Sequence, residues 1–423
     1  MILSDNFKTT RVEARFIIDM DKKEVPLLEL LSGLLIYTSK KYNTRKDFIN
    51  KCKDLYDLSI SSSIKEDGKR TSLNISMSFL DDKYSYDNLF EDSIKFLKEV
   101  IYNPNVKDDA FDEESYKAVN INITSELETI KEDKGGYSKL RLFEIISEDE
   151  KDFISRVGKE YKEIIDNANS KTIYEFYKKV IDNSMLNIIV FGNIDFDKTE
   201  KIIKDNFNDI NNKSFEVNPN RYYKPYKKVL TRFESDKSSQ AKLNIACFLD
   251  DKITPYEKEV IIPVYNLILG GFANSVFFKN IREKHSLCYY IISNFSYYDN
   301  LFFIRSGINK DNYDKVISLV KKDIKNVAEG KISESLVEEA KETYISSLKS
   351  TMDYPALIVN NFYDNKIDNI SLFEDRIENI KKVTLEDVKK VAKKVKIDAI
   401  YLFGGDSKWL KNIVELEQIL EKK

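Results

Sequence analysis

The feature that most constrains this chain is a repeat at half its length. Near the middle, Thr172-Ile-Tyr-Glu-Phe-Tyr-Lys-Lys-Val180 is followed by a loop and then by Leu186-Asn-Ile-Ile-Val-Phe-Gly192. Near the end, Thr384-Leu-Glu-Asp-Val-Lys-Lys-Val-Ala-Lys-Lys-Val395 leads to Ala399-Ile-Tyr-Leu-Phe-Gly404. Each is a threonine-capped amphipathic helix feeding an apolar strand that stops at a glycine. The two glycines stand 212 positions apart. A supersecondary unit recurring at that distance implies two similar halves. A second correspondence supports the first. Thr44 opens a helix running to about Tyr56, Leu58–Ile64 reads as a strand, and Glu66-Asp-Gly-Lys69 reads as a turn. Leu73, Ile75, Met77 and Phe79 then alternate along a returning strand. In the second half, a helix near Ser275–Lys284 leads to a strand at Cys288–Phe295, a turn at Asp299-Asn300 and a strand at Leu301–Ile308.

After each hairpin come helical stretches, at 84–102, 107–134 and 160–182, then at 310–328, 333–351 and 373–396. Strands followed by runs of helices predict an α+β fold. Two homologous halves are expected, each a mostly antiparallel sheet with helices packed on one face. The 423 residues, 42% of them apolar, suffice for two cores. Between the halves, 208–229 is rich in Asn and Lys and holds Pro219 and Pro225, two of the chain's seven prolines. It has no clean apolar period, so it reads as a linker. The expected division is therefore 1–207, a linker at 208–229, and 230–423.

Composition excludes several classes. A net charge of −3 gives no basic footprint for nucleic acid. No apolar window of about 18 residues predicts a membrane span. The opening residues, Met1-Ile-Leu-Ser-Asp-Asn-Phe-Lys8, lack a charged region followed by an apolar one, so no signal peptide is read. Cys52, Cys247 and Cys288 are widely spaced, which suits a reducing cytoplasm better than a disulfide framework. His285 is the only histidine. Most catalytic zinc sites need two or three imidazoles, so autonomous zinc hydrolysis is not expected, and His285 itself reads as structural. Neither a Gly-x-Ser-x-Gly elbow nor a phosphate-binding Gly-x-x-x-x-Gly-Lys loop is present.

The sharpest segment runs Leu267-Ile-Leu-Gly-Gly-Phe-Ala-Asn-Ser-Val-Phe-Phe-Lys-Asn-Ile-Arg-Glu-Lys-His-Ser-Leu-Cys-Tyr-Tyr-Ile291. A buried helix, 256–269, ends at Gly270-Gly271, a loop leads to a second helix bearing Arg282, and a strand begins at Tyr289. This resembles the second-half signature of the pitrilysin / insulinase / mitochondrial processing peptidase family. The likeness is specific over 267–291 and weaker around 161–195. Members carry an Arg and a Tyr seven residues apart that hold the substrate backbone and stabilise the tetrahedral intermediate. Arg282 and Tyr289 have that spacing. By the same resemblance, Gly270, Gly271, Phe272, Ala273, Asn274 and Ser275 would line the bound peptide.

Active members also carry a His-x-x-Glu-His zinc box on the first helix. The matching stretch here, Val25-Pro-Leu-Leu-Glu-Leu-Leu-Ser-Gly-Leu-Leu-Ile-Tyr-Thr-Ser-Lys-Lys41, has no histidine. Aligning Thr38-Ser-Lys-Lys41 with the run that follows the box puts Glu29-Leu-Leu-Ser-Gly33 in its place. Glu29 then reads as a helix-surface or cap carboxylate. The family's distal zinc-binding glutamate falls near Glu126 or Glu128. The resemblance thus implies a non-zinc subunit of a two-chain peptidase, with no cofactor of its own. A homologous His-x-x-Glu-His subunit would bring the zinc, and Arg282 and Tyr289 would act in trans on a peptide. Two other readings stand beside it: an architectural subunit without catalysis, and a module binding peptides along the strand near Cys288–Phe295.

Overall fold

The computed structural model of the chain describes residues 1–19, 21–85, 88–147, 153–208, 210, 212–216, 218–221, 223–249 and 253–405. Positions 209, 211, 217 and 222 of the expected linker, and 406–423 of the expected second half, lie outside these residues.

Twelve strands are described: β1 (Ile2–Leu3), β2 (Thr9–Ile18), β3 (Ser59–Asp67), β4 (Arg70–Leu80), β5 (Val106–Lys107), β6 (Ala110–Phe111), β7 (Met185–Gly192), β8 (Leu230–Glu234), β9 (Ala241–Leu249), β10 (Cys288–Ser296), β11 (Leu301–Ile308) and β12 (Val395–Phe403). Apart from the small β5-β6 pair, they form two five-stranded sheets ordered β1-β7-β2-β4-β3 and β10-β11-β9-β12-β8. Read from its other edge, the second is β8-β12-β9-β11-β10, so every strand has a counterpart in the same place. The exceptions match as well. The short outer strand pairs in parallel with the last long strand, β1 with β7 and β8 with β12, while the other pairings are antiparallel. The fold is α+β, in two halves of one topology.

The terminal glycines explain why the repeat is visible. A Cβ on Gly192 would lie 2.9 Å from Thr10 Oγ1 and 3.2 Å from its Cα. A Cβ on Gly404 would lie 2.7 Å from both Cα and Cβ of Ala241. Both glycines have positive φ, +155° and +139°. Each leaves its strand where it presses on the start of the neighbouring one, and only a residue without a side chain fits.

Helices mass on one face of each sheet. In the first, Leu28, Leu30, Leu31 and Leu34 of helix Val25–Leu35 share a core with Val12, Ala14, Ile75 and Met77 of the sheet and Ile94, Leu97 and Ile101 of helix Leu89–Tyr102. In the second, Val264, Ile268 and Leu269 join Leu243, Ile245, Ile304 and Val316. The helix carrying them runs from Glu257 to Gly271 and winds with π-type turns at both ends. Two compact units emerge. One holds Met1–Ile130, Lys151–Pro219 and Pro355–Tyr363, and the other Lys131–Glu150, Asn220–Tyr354 and Asp364–Lys423. Each unit thus includes a piece of helix from the other half of the sequence. In the second unit, helix Lys134–Ile146 sets Tyr137 against Phe403 (ring centroids 5.0 Å) and Phe143 against Phe303 (4.6 Å).

Several expected elements are subdivided. The stretch 160–182 is two helices, Lys159–Asn167 and Ser170–Asn183. The second is capped by Asn169, whose carboxamide oxygen accepts from Lys171 N and Thr172 N. Thr172 is the reciprocal member of a capping box and not the cap itself. The stretch 373–396 is two helices, Phe373–Ile380 and Leu385–Ala392, and the first residues of strand β12. Thr384 is a true N-cap there, accepting from Asp387 N. The hairpin turn in the first half is tighter than expected: β3 extends to Asp67 and β4 begins at Arg70.

Candidate functional site

The segment with the family signature starts at a close approach. Gly270 is buried, and a Cβ there would fall 2.9 Å from both the backbone N and the Oγ of Ser293 in β10. Glycine therefore lets the helix end rest directly on the strand. Ser293 Oγ fastens this junction by donating to the Asn266 carbonyl at 3.0 Å. The chain then turns outward. Gly271, Ala273 and Asn274 are exposed and Phe272 is half-buried, while Ser275 is fully buried. Asn274 Nδ2 donates to Glu339 Oε2 at 3.1 Å. Ser275 Oγ accepts from Phe278 N at 3.4 Å and its carbonyl from Lys279 N at 3.0 Å, which starts the next helix. Helix Phe278–Lys284 carries Arg282, whose guanidinium carbon lies 4.5 Å from the Phe278 ring centroid. That cation–π contact steadies an otherwise solvent-facing charge. Of the expected pair, Arg282 thus sits on this helix and Tyr289 on the strand that follows it, and His285 is exposed just past the helix end.

Tyr289 has a more particular placement. Within β10, Ile291 and Ser293 point inward, so strict alternation would turn Tyr289 inward as well. The register shifts there: Cys288 faces Ile308 and Tyr290 faces Gly307. Tyr289 is the extra residue of a β-bulge, and it is 64% exposed. Gly307 completes the device. A Cβ on it would meet Tyr290 Cε1 at 2.6 Å, so Tyr290 seats over Gly307. β10 is an edge strand of its sheet. Among the described residues, the exposed side chains of Arg282 and Tyr289 make no hydrogen bond or ion pair.

The first half answers the zinc question differently. Glu29, Ser32, Gly33 and Glu126 line one cavity of about 250 Å³ together with Arg45 and Val119. The stretches aligned with the zinc box and the distal glutamate therefore do converge. Glu126 is the carboxylate that reaches this place, whereas Glu128 lines a separate cavity along helix Glu113–Thr129. The donor set does not fit zinc. There is no imidazole, Gly33 offers no ligand, and both carboxylates are engaged. Arg156 Nη2 donates to Glu29 Oε1 at 2.6 Å and to Glu126 Oε2 at 2.8 Å, and the Tyr161 hydroxyl donates to Glu29 Oε2. Glu29 is thus not a surface or cap carboxylate. Its side chain is 18% exposed and held on both oxygens. Burial, then the Glu29 charge, pushes the Tyr161 phenol well above its ordinary range and keeps it a donor. Burial works against the Arg156 charge, but Glu126 and Glu29 outweigh it and raise its pKa. No spacing flagged Arg156 or Tyr161 in the sequence. Among the described residues, no group of three or more His, Cys, Asp or Glu side chains is arranged to hold a metal ion.

With this geometry in view, the likeness to known proteins falls into place. Residues 167–344 match the family described as the peptidase M16 inactive domain. The probable inactive metalloprotease YmfF of Bacillus subtilis (strain 168) is 23% identical over 408 residues, covering 96% of this chain and 95% of that protein. A conserved protein from Enterococcus faecalis V583 superposes with a TM-score of 0.88 at 25% identity, over 96% of each chain. A peptidase M16 inactive domain from Pseudomonas fluorescens superposes with a TM-score of 0.79 at 16% identity, over 96% of this chain and 94% of that one. The chain is thus similar to inactive members of the pitrilysin-like M16 peptidase family, over 167–344 by the family model and over 96% of its length by the relative from Bacillus subtilis.

Proposed function

We propose that this chain is the non-zinc subunit of a two-chain M16 peptidase. Its Arg282 and Tyr289 would complete a zinc site carried by a homologous His-x-x-Glu-His subunit. The observation that carries the reading is the state of these two side chains: both are exposed, Arg282 on its helix and Tyr289 turned out by a bulge, rather than used internally. Peptide hydrolysis places negative charge on the former carbonyl oxygen. A guanidinium and a phenolic O–H supply fixed donors for it, and losing one such donor costs about 10²–10³ in rate. The exposed run Gly271–Asn274 and the edge strand β10 offer backbone groups to an extended peptide, which would add as a strand. Gly270 and Ser275 set the two ends of that run. In this reading residues 1–207 and 230–423 are the two peptidase-like halves, 208–229 links them, zinc belongs to the partner, and the pair works in the cytoplasm. No helix among the described residues is long and apolar enough to cross a membrane.

The test is reconstitution. The chain is purified with a homologue bearing His-x-x-Glu-His, and cleavage of an unstructured peptide is followed with each chain alone and with both. Cleavage only by the pair, falling at least about 10²-fold with Arg282→Ala plus Tyr289→Phe, supports the reading. Full activity of the doubly substituted pair overturns it. A second reading, peptide binding without catalysis, draws on the same edge strand. It is favoured if the chain alone binds peptide and the mixture never cleaves.

A further inference from the structure

The structure assigns to Arg156 the part that a bound cation plays in a metal site: it holds two carboxylates from two helices at a fixed separation. This assignment is independent of any role for Arg282 and Tyr289. Glu29 stands on helix Val25–Leu35 and Glu126 on helix Glu113–Thr129. The helices approach so closely that a Cβ on Gly33 would lie 2.7 Å from Val119 Cγ1. Two carboxylates facing one cavity across that approach repel each other unless a positive charge lies between them. Arg156 Nη2 supplies it, 2.6 Å from one carboxylate and 2.8 Å from the other. A guanidinium differs from a metal ion in two ways that matter. It never dissociates into solution, and it never loses its charge at physiological pH. Tyr161 takes the remaining oxygen of Glu29, so neither oxygen of that carboxylate is left for an incoming ion. The cavity is therefore closed to metal from within, and its shape does not depend on metal supply.

The consequence is measurable without any enzyme assay. The full chain is titrated with Mn²⁺ and Zn²⁺ chloride by calorimetry, and Tm is recorded with and without EDTA. The wild-type chain takes up neither ion and its Tm ignores the chelator. Arg156→Ala lowers Tm by about 2–4 °C. Millimolar Mn²⁺, which suits carboxylate donors, then restores part of the loss. Adding Glu29→Gln to Arg156→Ala abolishes that recovery. Arg156→Lys, which keeps a charge but not the fork, stays closer to wild type and shows no metal response. If Arg156→Ala does not fold, the Arg156→Lys and Glu29→Gln chains still decide the matter through their zinc titrations. Stoichiometric zinc uptake by the wild-type chain, lost in Glu29→Gln, overturns the assignment. So does an Arg156→Ala chain as stable as wild type and indifferent to metal.

Discussion

The corresponding regions of the two halves have the same framework and opposite habits. In the first, the helix after the second strand of the sheet carries Glu29, and the polar groups that meet it are spent on the half itself: Arg156 on two carboxylates, Tyr161 on one. In the second, the matching helix ends at Gly270-Gly271 and hands over to Arg282 and Tyr289, which face solvent. A fold can keep a site's architecture while turning its side chains inward to serve packing. It can also keep them turned outward, at no benefit to its own stability. On the proposed function, the difference would separate a region that serves as scaffold from one that serves contact with a partner.

The framework itself is the first place to strain this comparison. Both halves end a strand on a glycine, but Gly404 lies closer to its neighbour, against backbone and Cβ of Ala241, while Gly192 meets chiefly the Thr10 hydroxyl and a more distant Cα. Gly404→Ala is expected to cost about 3 kcal/mol and Gly192→Ala about 1–2 kcal/mol, the range for non-glycine residues forced into rare backbone conformations. Urea unfolding of the full chain reads both, and equal losses would mean that the two junctions are interchangeable. Next comes the first helix of each half. Gly270→Ala drives a methyl at the backbone N of Ser293, 2.9 Å away, whereas Gly33→Ala meets only the Val119 side chain. Overpacking of this kind costs about 1–3 kcal/mol, and Gly270→Ala should fall at the upper end because backbone yields less than a side chain.

The two helices also differ in charge near their starts. The first begins on buried Val25 and Pro26. The second buries Lys258, whose Nζ donates to Asn220 Oδ1 at 2.9 Å and sits 5.0 Å from the Tyr297 ring centroid. Burial pulls its pKa down from 10.5 to about 8. A lysine depressed in the folded state opposes folding wherever it must be charged. The penalty is fully present below about pH 8 and disappears as pH rises from there to the unfolded value. Lys258→Met should therefore raise stability at pH 7 by about 1–2 kcal/mol, discounted for the amine's hydrogen bond. It should also flatten the rise in Tm expected from this lysine between pH 8 and pH 10. An unchanged slope would show that the ammonium is better solvated than its burial implies.

How much of this was legible beforehand follows from the kind of signal each part leaves. The repeat was readable because glycine at a backbone collision and alternating apolar strands are local, periodic demands. The sequence does not single out the central strands β2 and β9. Thr9–Ile18 mixes Arg11, Glu13 and Arg15 into its apolar run, since one sheet face there is buried by ion pairs and by Asn360 rather than by aliphatic side chains. The exchange of helical pieces between units was equally silent, because it depends on contacts far apart in sequence. At the candidate site, the spacing of Arg282 and Tyr289 pointed to the pair. The bulge that turns Tyr289 outward was not visible, because it arises from the fit of Tyr290 over Gly307 on another strand. Arg156 left no trace for the same reason: it lies 127 positions from Glu29.

The smallest effect is the sharpest discriminator between the two habits. Surface substitutions away from caps, cores and buried networks usually change stability by no more than about 0.5 kcal/mol. Arg282→Ala and Tyr289→Ala should stay inside that band, alone and together. Arg282 forfeits only its contact with Phe278, and Tyr289 is largely in solvent already. Gly307→Ala provides the contrast within the same strand pair. It displaces Tyr290, and its effect should appear in hydrogen exchange of the β10 amides before it appears in global stability. If Arg282→Ala or Tyr289→Ala instead cost more than about 1 kcal/mol, these side chains would be serving their own half as Arg156 serves the other. The reason for regarding them as turned toward a partner would then be gone. If they cost nothing while reconstituted cleavage collapses, the outward-facing half owes these residues to the complex and not to its fold.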